Sequence, residues 1–149
     1  MPGHDLKGLR EVYESVDGAL TGWSCEGSAD CCRFGETGRE PYLWPAEWAL
    51  LSQALAAKGR PAPARRSLRI VGDCPLLDDA GHCSVYAARP FGCRTFFCER
   101  ADGPTRRPPR AALAELGRRV AAISEAAEPG SGPRTLTRWL ADKLANARC

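Results

Sequence analysis

The sequence predicts a mainly α-helical protein in which a small β-hairpin and irregular cysteine-rich loops pack on three or four helices. Apolar residues recur at spacings of three and four in four separate segments, as on one face of a helix. Seven of the eight cysteines fall at irregular spacings between these segments, which predicts that they lie in loops. We expect a single domain over 1–149, because a chain of this length buries a sizeable core by itself.

The first two helices are predicted before residue 60. The apolar face of the first helix, which we expect to end near Gly22, comprises Leu6, Leu9, Tyr13, Val16 and Leu20. The second helix is expected to begin at Pro45, because proline suits the first helical position, and to end at Lys58 and Gly59. Its apolar face comprises Trp44, Trp48, Leu51 and Leu55.

The hairpin is predicted in the middle of the chain. Residues 67–71 (SLRIV) alternate between polar and apolar side chains, as a short strand does. Residues 75–77 (PLL) and 84–86 (SVY) then flank the turn-forming residues 78–81 (DDAG).

Two further helices are predicted in a C-terminal segment, about residues 109–148. Their apolar faces comprise Leu113, Leu116, Val120 and Ile123 in the first, and Leu136, Trp139, Leu140 and Leu144 in the second. Residues 129–133 (PGSGP) separate them. We interpret all four faces as contributions to the core, because apolar stripes on helices usually pack inside.

The charge distribution argues against nucleic acid and against a membrane as partners. The 21 basic and 18 acidic residues are interleaved and leave a net charge of only +3. No apolar run approaches the roughly 18 residues of a membrane helix, and the N-terminus is polar and charged. We expect a soluble cytoplasmic protein without a signal peptide.

The cysteines indicate thiolate chemistry. In a reducing cytoplasm, clustered cysteines more often bind metal or do redox chemistry than form disulfides. The chain has two histidines, His4 and His82, and its single methionine is the initiator. This composition argues against histidine-rich zinc sites, haem and methionine-type copper sites.

The seven clustered cysteines form two blocks. The first block is SCEGSADCCRF, residues 24–34, and the second runs from Cys74 to Cys98. The neighbours Cys31 and Cys32 are poorly suited to an ordinary disulfide or to one tetrahedral metal, because successive side chains diverge. No C-x2-C pair of the zinc-ribbon kind occurs. Cys149 stands apart, and we expect it to be an exposed thiol.

The second block resembles the YkgJ-type cysteine-cluster family, whose members are described as zinc- or iron-chelating and sometimes labelled iron-sulfur oxidoreductases. The family patterns C-P-x-L, G-x-C-S-x-Y and R-P-x-x-C-R-x-F are similar to residues 74–77, 81–86 and 89–96. The resemblance covers a cysteine-cluster core of about residues 23–98. The family's first block is C-x2-C-x2-C-C, and this chain has Ser28 in place of the second cysteine.

The resemblance implies a metal centre that draws on both blocks. The candidate ligands are Cys25, Cys31, Cys32, Cys74, Cys83, Cys93 and Cys98. Ser28 marks an open or weak position, for which Cys98 is the candidate substitute, because a hydroxyl is a poor ligand for a soft metal.

The predicted cofactor is an iron-sulfur cluster or other iron centre, with zinc as the alternative. Irregular spacing suits a cluster, because separate irons accept separate thiolates. Arg33, Arg89 and Arg94 are predicted to offset the negative charge of such a cluster. Nearby aromatic residues are predicted either to shield it from solvent or simply to pack: Trp23, Phe34, Phe91, Phe96 and Phe97.

The predicted function is redox chemistry or oxidative modification of a partner, which is an unknown protein or small molecule. Two alternatives remain: a zinc-stabilised adaptor, and a metal trafficking or storage protein. The sequence identifies no catalytic residue, and it shows no nucleotide-binding glycine loop.

Overall fold

The structure, a computed structural model, describes residues 3–22, 40–58, 74–77, 83–95 and 109–146, with side chains as far as residue 143. These ranges contain five α-helices: α1 (Leu6–Ala19), α2 (Pro45–Ala57), α3 (Phe91–Thr95), α4 (Arg110–Ala127) and α5 (Leu136–Asn146). The predicted fold class, mainly helical with a small antiparallel β element, is confirmed. None of the helices in these ranges combines the length and the apolar composition that crossing a membrane requires.

The ends of the first two helices follow from local chemistry. Asp5 caps α1, because its side-chain oxygen accepts the N–H of Gly8 at 2.9 Å. The helix ends at Ala19, and Gly22 then adopts a φ of +87°, which glycine tolerates well. α2 begins at Pro45, as the sequence predicts, and Lys58 follows its last turn.

The apolar faces predicted from the sequence build two clusters of buried side chains. The first core joins α1, α2 and α4 and contains Leu9, Val12, Tyr13, Val16, Leu20, Ala46, Leu50, Leu113, Leu116 and Val120. The second core joins β1, α2, α5 and the cysteine segments and contains Leu43, Leu51, Leu55, Leu76, Val85, Leu136 and Leu140. The helix α2 lies between them, since it contributes Leu50 to the first core and Leu51 to the second.

The two strands join distant parts of the chain. The strand β1 (Tyr42–Leu43) pairs antiparallel with β2 (Arg134–Thr135), with Tyr42 opposite Thr135. The pairing fixes α5 beside α2, where the rings of Trp48 and Trp139 stack with their centroids 5.7 Å apart.

At the position predicted for the hairpin, the described residues form a smaller β contact. Leu77 and Cys83 make an isolated antiparallel bridge, and the N–H of Ser84 donates to the carbonyl of Leu76 at 3.0 Å. The predicted strand 67–71 and the turn 78–81 lie outside the described residues.

Ser124 provides the cap of α2 from a different helix. It lies on α4 with only 1% of its surface exposed, and its hydroxyl accepts the N–H of Ala46 at 3.1 Å. The N–H of Ala46 lies in the first turn of α2, where a helix provides no acceptor of its own. The bond to Ser124 therefore ties the start of α2 to α4.

We expect Ser124→Ala to lower the free energy of unfolding by about 1–2 kcal/mol, because Ala46 loses its acceptor. Urea unfolding measures the change. Ser15→Ala is the control, since the hydroxyl of Ser15 is exposed and bonds only within α1, and we expect it to change stability by less than about 0.5 kcal/mol. Equal midpoints for Ser124→Ala and Ser15→Ala would show that the cap adds nothing.

Candidate metal centre

Three of the predicted ligands lie in the described ranges, and two of them pack against the same core. Cys74 and Cys83 are half-buried and pack against the second core. They are brought together by the bridge between Leu77 and Cys83 and by a bond of 3.2 Å from the N–H of Leu77 to the carbonyl of Cys74. The predicted ligands outside the described residues are Cys25, Cys31, Cys32 and Cys98.

Cys93, the third, lies on the short helix α3. The carbonyl of Pro90 starts this helix by accepting the N–H groups of both Cys93 and Arg94 at 3.0 Å. The helix α3 contacts α1. The cysteine of the R-P-x-x-C-R pattern therefore lies on a helix that packs against α1.

Arg94 anchors α3 to α1. Its Nη1 donates to both carboxylate oxygens of Asp17 at 3.0 and 2.9 Å, and its guanidinium carbon lies 4.2 Å from the centre of the Tyr13 ring. The Nε group donates to the carbonyl of Arg89 at 2.7 Å, and Nη2 donates to the carbonyl of Ala87. With only 4% of its side chain exposed, Arg94 holds the segment before Cys93 in a closed loop.

The preceding arginine of the motif closes a smaller turn. Arg89 donates from Nε to the carbonyl of Tyr86 at 3.0 Å, and its guanidinium lies 3.6 Å from the centre of the Tyr86 ring. The 3-10 helix Tyr86–Ala88 leads directly into this turn. The Y-x-x-R-P-x-x-C-R residues thus form a local scaffold for Cys93, and both arginines already have partners within the protein.

A buried carboxylate lies beneath this scaffold. Glu47 on α2 is 1% exposed, and its two oxygens accept three hydrogen bonds. The donors are the hydroxyl of Tyr13 at 2.9 Å, the N–H of Trp44 at 3.0 Å and the N–H of Phe91 at 2.6 Å. One side chain therefore links α1, α2 and the start of α3.

Burial dominates the ionisation of this pair. It raises the pKa of Glu47 above its usual value of 4.5, although the three donors and the Arg94 guanidinium favour the carboxylate. Burial also raises the pKa of Tyr13 far above its usual 10.0, and the charge of Glu47 raises it further.

The raised pKa of Glu47 predicts a pH dependence of stability. The folded chain binds this proton more tightly than the unfolded chain, so the contribution is fully present below about pH 4.5 and is lost as the pH rises through the folded pKa. We expect the free energy of unfolding of the wild type, minus that of Glu47→Gln, to fall as the pH rises from 4 to about 8. A difference that stays constant or grows with pH would contradict this sign.

The sequence pattern did not reveal Glu47 as a site residue. It lies within PAEWALL, where it is the only charged side chain in an apolar run. That isolation was a usable signal, because a lone carboxylate among core residues is seldom left without partners. Tyr13 was predicted only as a core residue, whereas its hydroxyl also bonds to Glu47.

The described cysteines lie at two places in the fold. Among the residues that the structure describes, no group of three or more His, Cys, Asp or Glu side chains is placed to hold a metal ion. Cys74 and Cys83 pack against the second core, and Cys93 lies on α3, which contacts α1. Half-buried thiols next to apolar side chains fit the donor set of zinc or iron-sulfur centres, so the chemistry of the residues present is compatible with either.

Comparison with known proteins identifies the family. Residues 24–109 match the CxxCxxCC family, described as a putative zinc- or iron-chelating domain. The chain belongs to this family. The match covers more than half of the chain and includes all seven clustered cysteines, whereas Cys149 lies beyond it. No curated protein and no solved structure matches the chain significantly.

Family membership supports metal chelation, by zinc or by iron, as the chemistry of this domain. The predicted resemblance to the YkgJ-type cysteine-cluster proteins is confirmed. This CxxCxxCC protein departs from the pattern in the family's name at one position, because Ser28 replaces the second cysteine. The helices α4 and α5 lie beyond the match and serve here to complete the two cores.

Proposed function

We propose that this CxxCxxCC protein holds iron, as an iron-sulfur cluster or another polynuclear centre, and uses it to transfer electrons to a partner or to modify that partner oxidatively. The observation that carries the proposal is the number of clustered thiols. Seven cysteines exceed what one tetrahedral zinc uses, and they are one short of two separate all-thiolate zinc sites. A polynuclear centre distributes irregularly spaced thiolates among several metal atoms.

The proposed ligands come from both blocks, and Arg89 and Arg94 fold the backbone around one of them, Cys93. The second core places apolar side chains against Cys74 and Cys83, and such a wall limits the access of water to a bound centre. An iron centre would supply an electron acceptor. The protein's own residues supply thiolates, orientation and exclusion of solvent.

Ser28 marks the position at which the proposed centre would react. If Cys98 does not take its place, one metal position has a weak protein ligand and is open to a substrate. Such a position would let the centre bind a small molecule or a partner's side chain, whereas a centre with four thiolates on every metal would only store electrons.

Anaerobic purification followed by metal and sulfide analysis and visible absorption tests the metal. We expect stoichiometric iron and a broad visible absorption that reductant bleaches. Cys149→Ser is the control and is expected to keep both. Stoichiometric zinc without iron, or no bound metal, would contradict the iron proposal.

A zinc-stabilised interaction module is the second candidate, and the packing of Cys74 and Cys83 against the second core favours it. Cysteines built into a core suit a metal that holds loops in place. This candidate predicts colourless stoichiometric metal and unfolding upon chelation. Cys31→Ser and Cys32→Ser separate the two: equal loss of folding supports the structural role, and loss of redox activity in an intact fold supports a reactive centre.

A further inference from the structure

Cys93 lies between two anchored neighbours. Two residues before it, the N–H of Phe91 donates to Glu47 at 2.6 Å. One residue after it, the Arg94 guanidinium is bound by Asp17 and by two backbone carbonyls. The helix that carries Cys93 is only five residues long, so its own hydrogen bonds do little to fix its position.

The ring of Phe91 adds a contact from α4. A side-chain carbon at Gly117 would lie 3.3 Å from two atoms of this ring, so the glycine allows a close approach of α3 to α4. Phe91 packs against the first core at the same place. Its backbone is therefore fixed by Glu47 while its ring is fixed by α4.

Glu47 ties α1, α2 and the start of α3 together. Its Oε1 accepts both the Tyr13 hydroxyl and the Phe91 N–H, and its Oε2 accepts the Trp44 N–H. Because it is buried, water cannot replace these partners at low cost. Any shift of α3 away from α2 leaves the Phe91 donor without an acceptor.

We propose that Glu47 is a positioning residue for the metal site, which holds Cys93 in its binding position by the reach of its carboxylate to the Phe91 N–H. The inference rests on the proposed function, in which Cys93 is a metal ligand. Groups that orient a ligand without touching the metal change metal affinity by about 10–100-fold when they are removed. The fold therefore fixes the position of Cys93 on α3 before metal binds.

Two substitutions of Glu47 separate the effect of side-chain length from the effect of charge. Glu47→Asp keeps the carboxylate but shortens the side chain by one methylene, so the oxygen no longer reaches Phe91. Glu47→Gln removes the charge but keeps an oxygen of full reach that can accept from Phe91, at the expense of the Trp44 bond. Ser124→Ala is the matched stability control, because it removes a hydrogen bond to the first turn of α2, at Ala46, and Ser124 is not a partner in the three hydrogen bonds of Glu47.

The test is the rate at which the purified, metal-loaded full chain releases its metal to an excess of a colorimetric chelator, alongside urea unfolding of each variant. We expect Glu47→Asp to release metal about tenfold faster than the wild type. We expect Glu47→Gln to stay within about threefold and Ser124→Ala within about twofold of the wild type. A larger effect of Gln than of Asp, no effect of Asp, or equal acceleration by Ser124→Ala would overturn the positioning role.

Cys93→Ser separates this inference from the proposal on which it rests. If Cys93→Ser accelerates release and Glu47→Asp does not, the ligand role of Cys93 stands and the positioning role is wrong. If the wild type carries no metal, or Cys93→Ser releases it at the wild-type rate, the ligand role fails and the positioning role fails with it.

Discussion

Replacing Arg94 with lysine is expected to lower the free energy of unfolding by about 2–3 kcal/mol. A lysine amine cannot reproduce the planar fork with which Arg94 reaches Asp17, the carbonyls of Arg89 and Ala87, and the face of Tyr13. The two carbonyls then lose a donor inside the protein, and the packing against the Tyr13 ring is lost. Urea unfolding of the two proteins measures the difference.

The ion pair itself accounts for little of this expected loss. The Asp17 side chain is 56% exposed, so solvent screens its attraction to Arg94, and we expect Asp17→Asn to lower stability by less than about 1 kcal/mol. Asp17→Asn is therefore the control for charge. If Asp17→Asn costs as much as Arg94→Lys, the carbonyl bonds and the ring contact are not what Arg94 contributes.

Leu51→Ala is expected to lower the free energy of unfolding by about 2–5 kcal/mol, because it opens a cavity in the second core. Leu51 has no exposed surface and lies on the face of α2 that packs toward β1, α5 and the cysteine segments. Leu51→Met is the control, since it keeps most of the volume and is expected to cost less than about 1.5 kcal/mol. Equal losses for the two variants would show that volume in this core does not matter.

The helices were predictable because their signals are local. The apolar spacing from Leu9 to Val16 predicted the buried face of α1, and Pro45 marked the first residue of α2. The pairing of β1 with β2 was not predictable in this way, since Tyr42 and Thr135 lie on distant segments with no turn between them. The sequence placed the β element at residues 67–86 instead, where the alternation is visible.

For the candidate site, the sequence predicts the residue types, and the structure adds the surroundings of Cys74, Cys83 and Cys93. The pattern around Cys93 pointed to a ligand, and the structure explains the pattern through Arg89 and Arg94, which fold the backbone around it. The sequence predicted these arginines as counter-charges for a cluster, whereas Arg94 pairs with Asp17. Glu47 escaped prediction because its role depends on three donors from separate parts of the chain.

The metal content of cysteine variants from each block tests most directly whether both blocks build one centre. We expect Cys32→Ser and Cys83→Ser each to lose most of the metal that the anaerobically purified wild type carries, because each removes a thiolate from a shared site. Cys149→Ser, beyond the family match, is expected to keep its full complement. Full wild-type metal content in either Cys32→Ser or Cys83→Ser would contradict a centre shared between the two blocks.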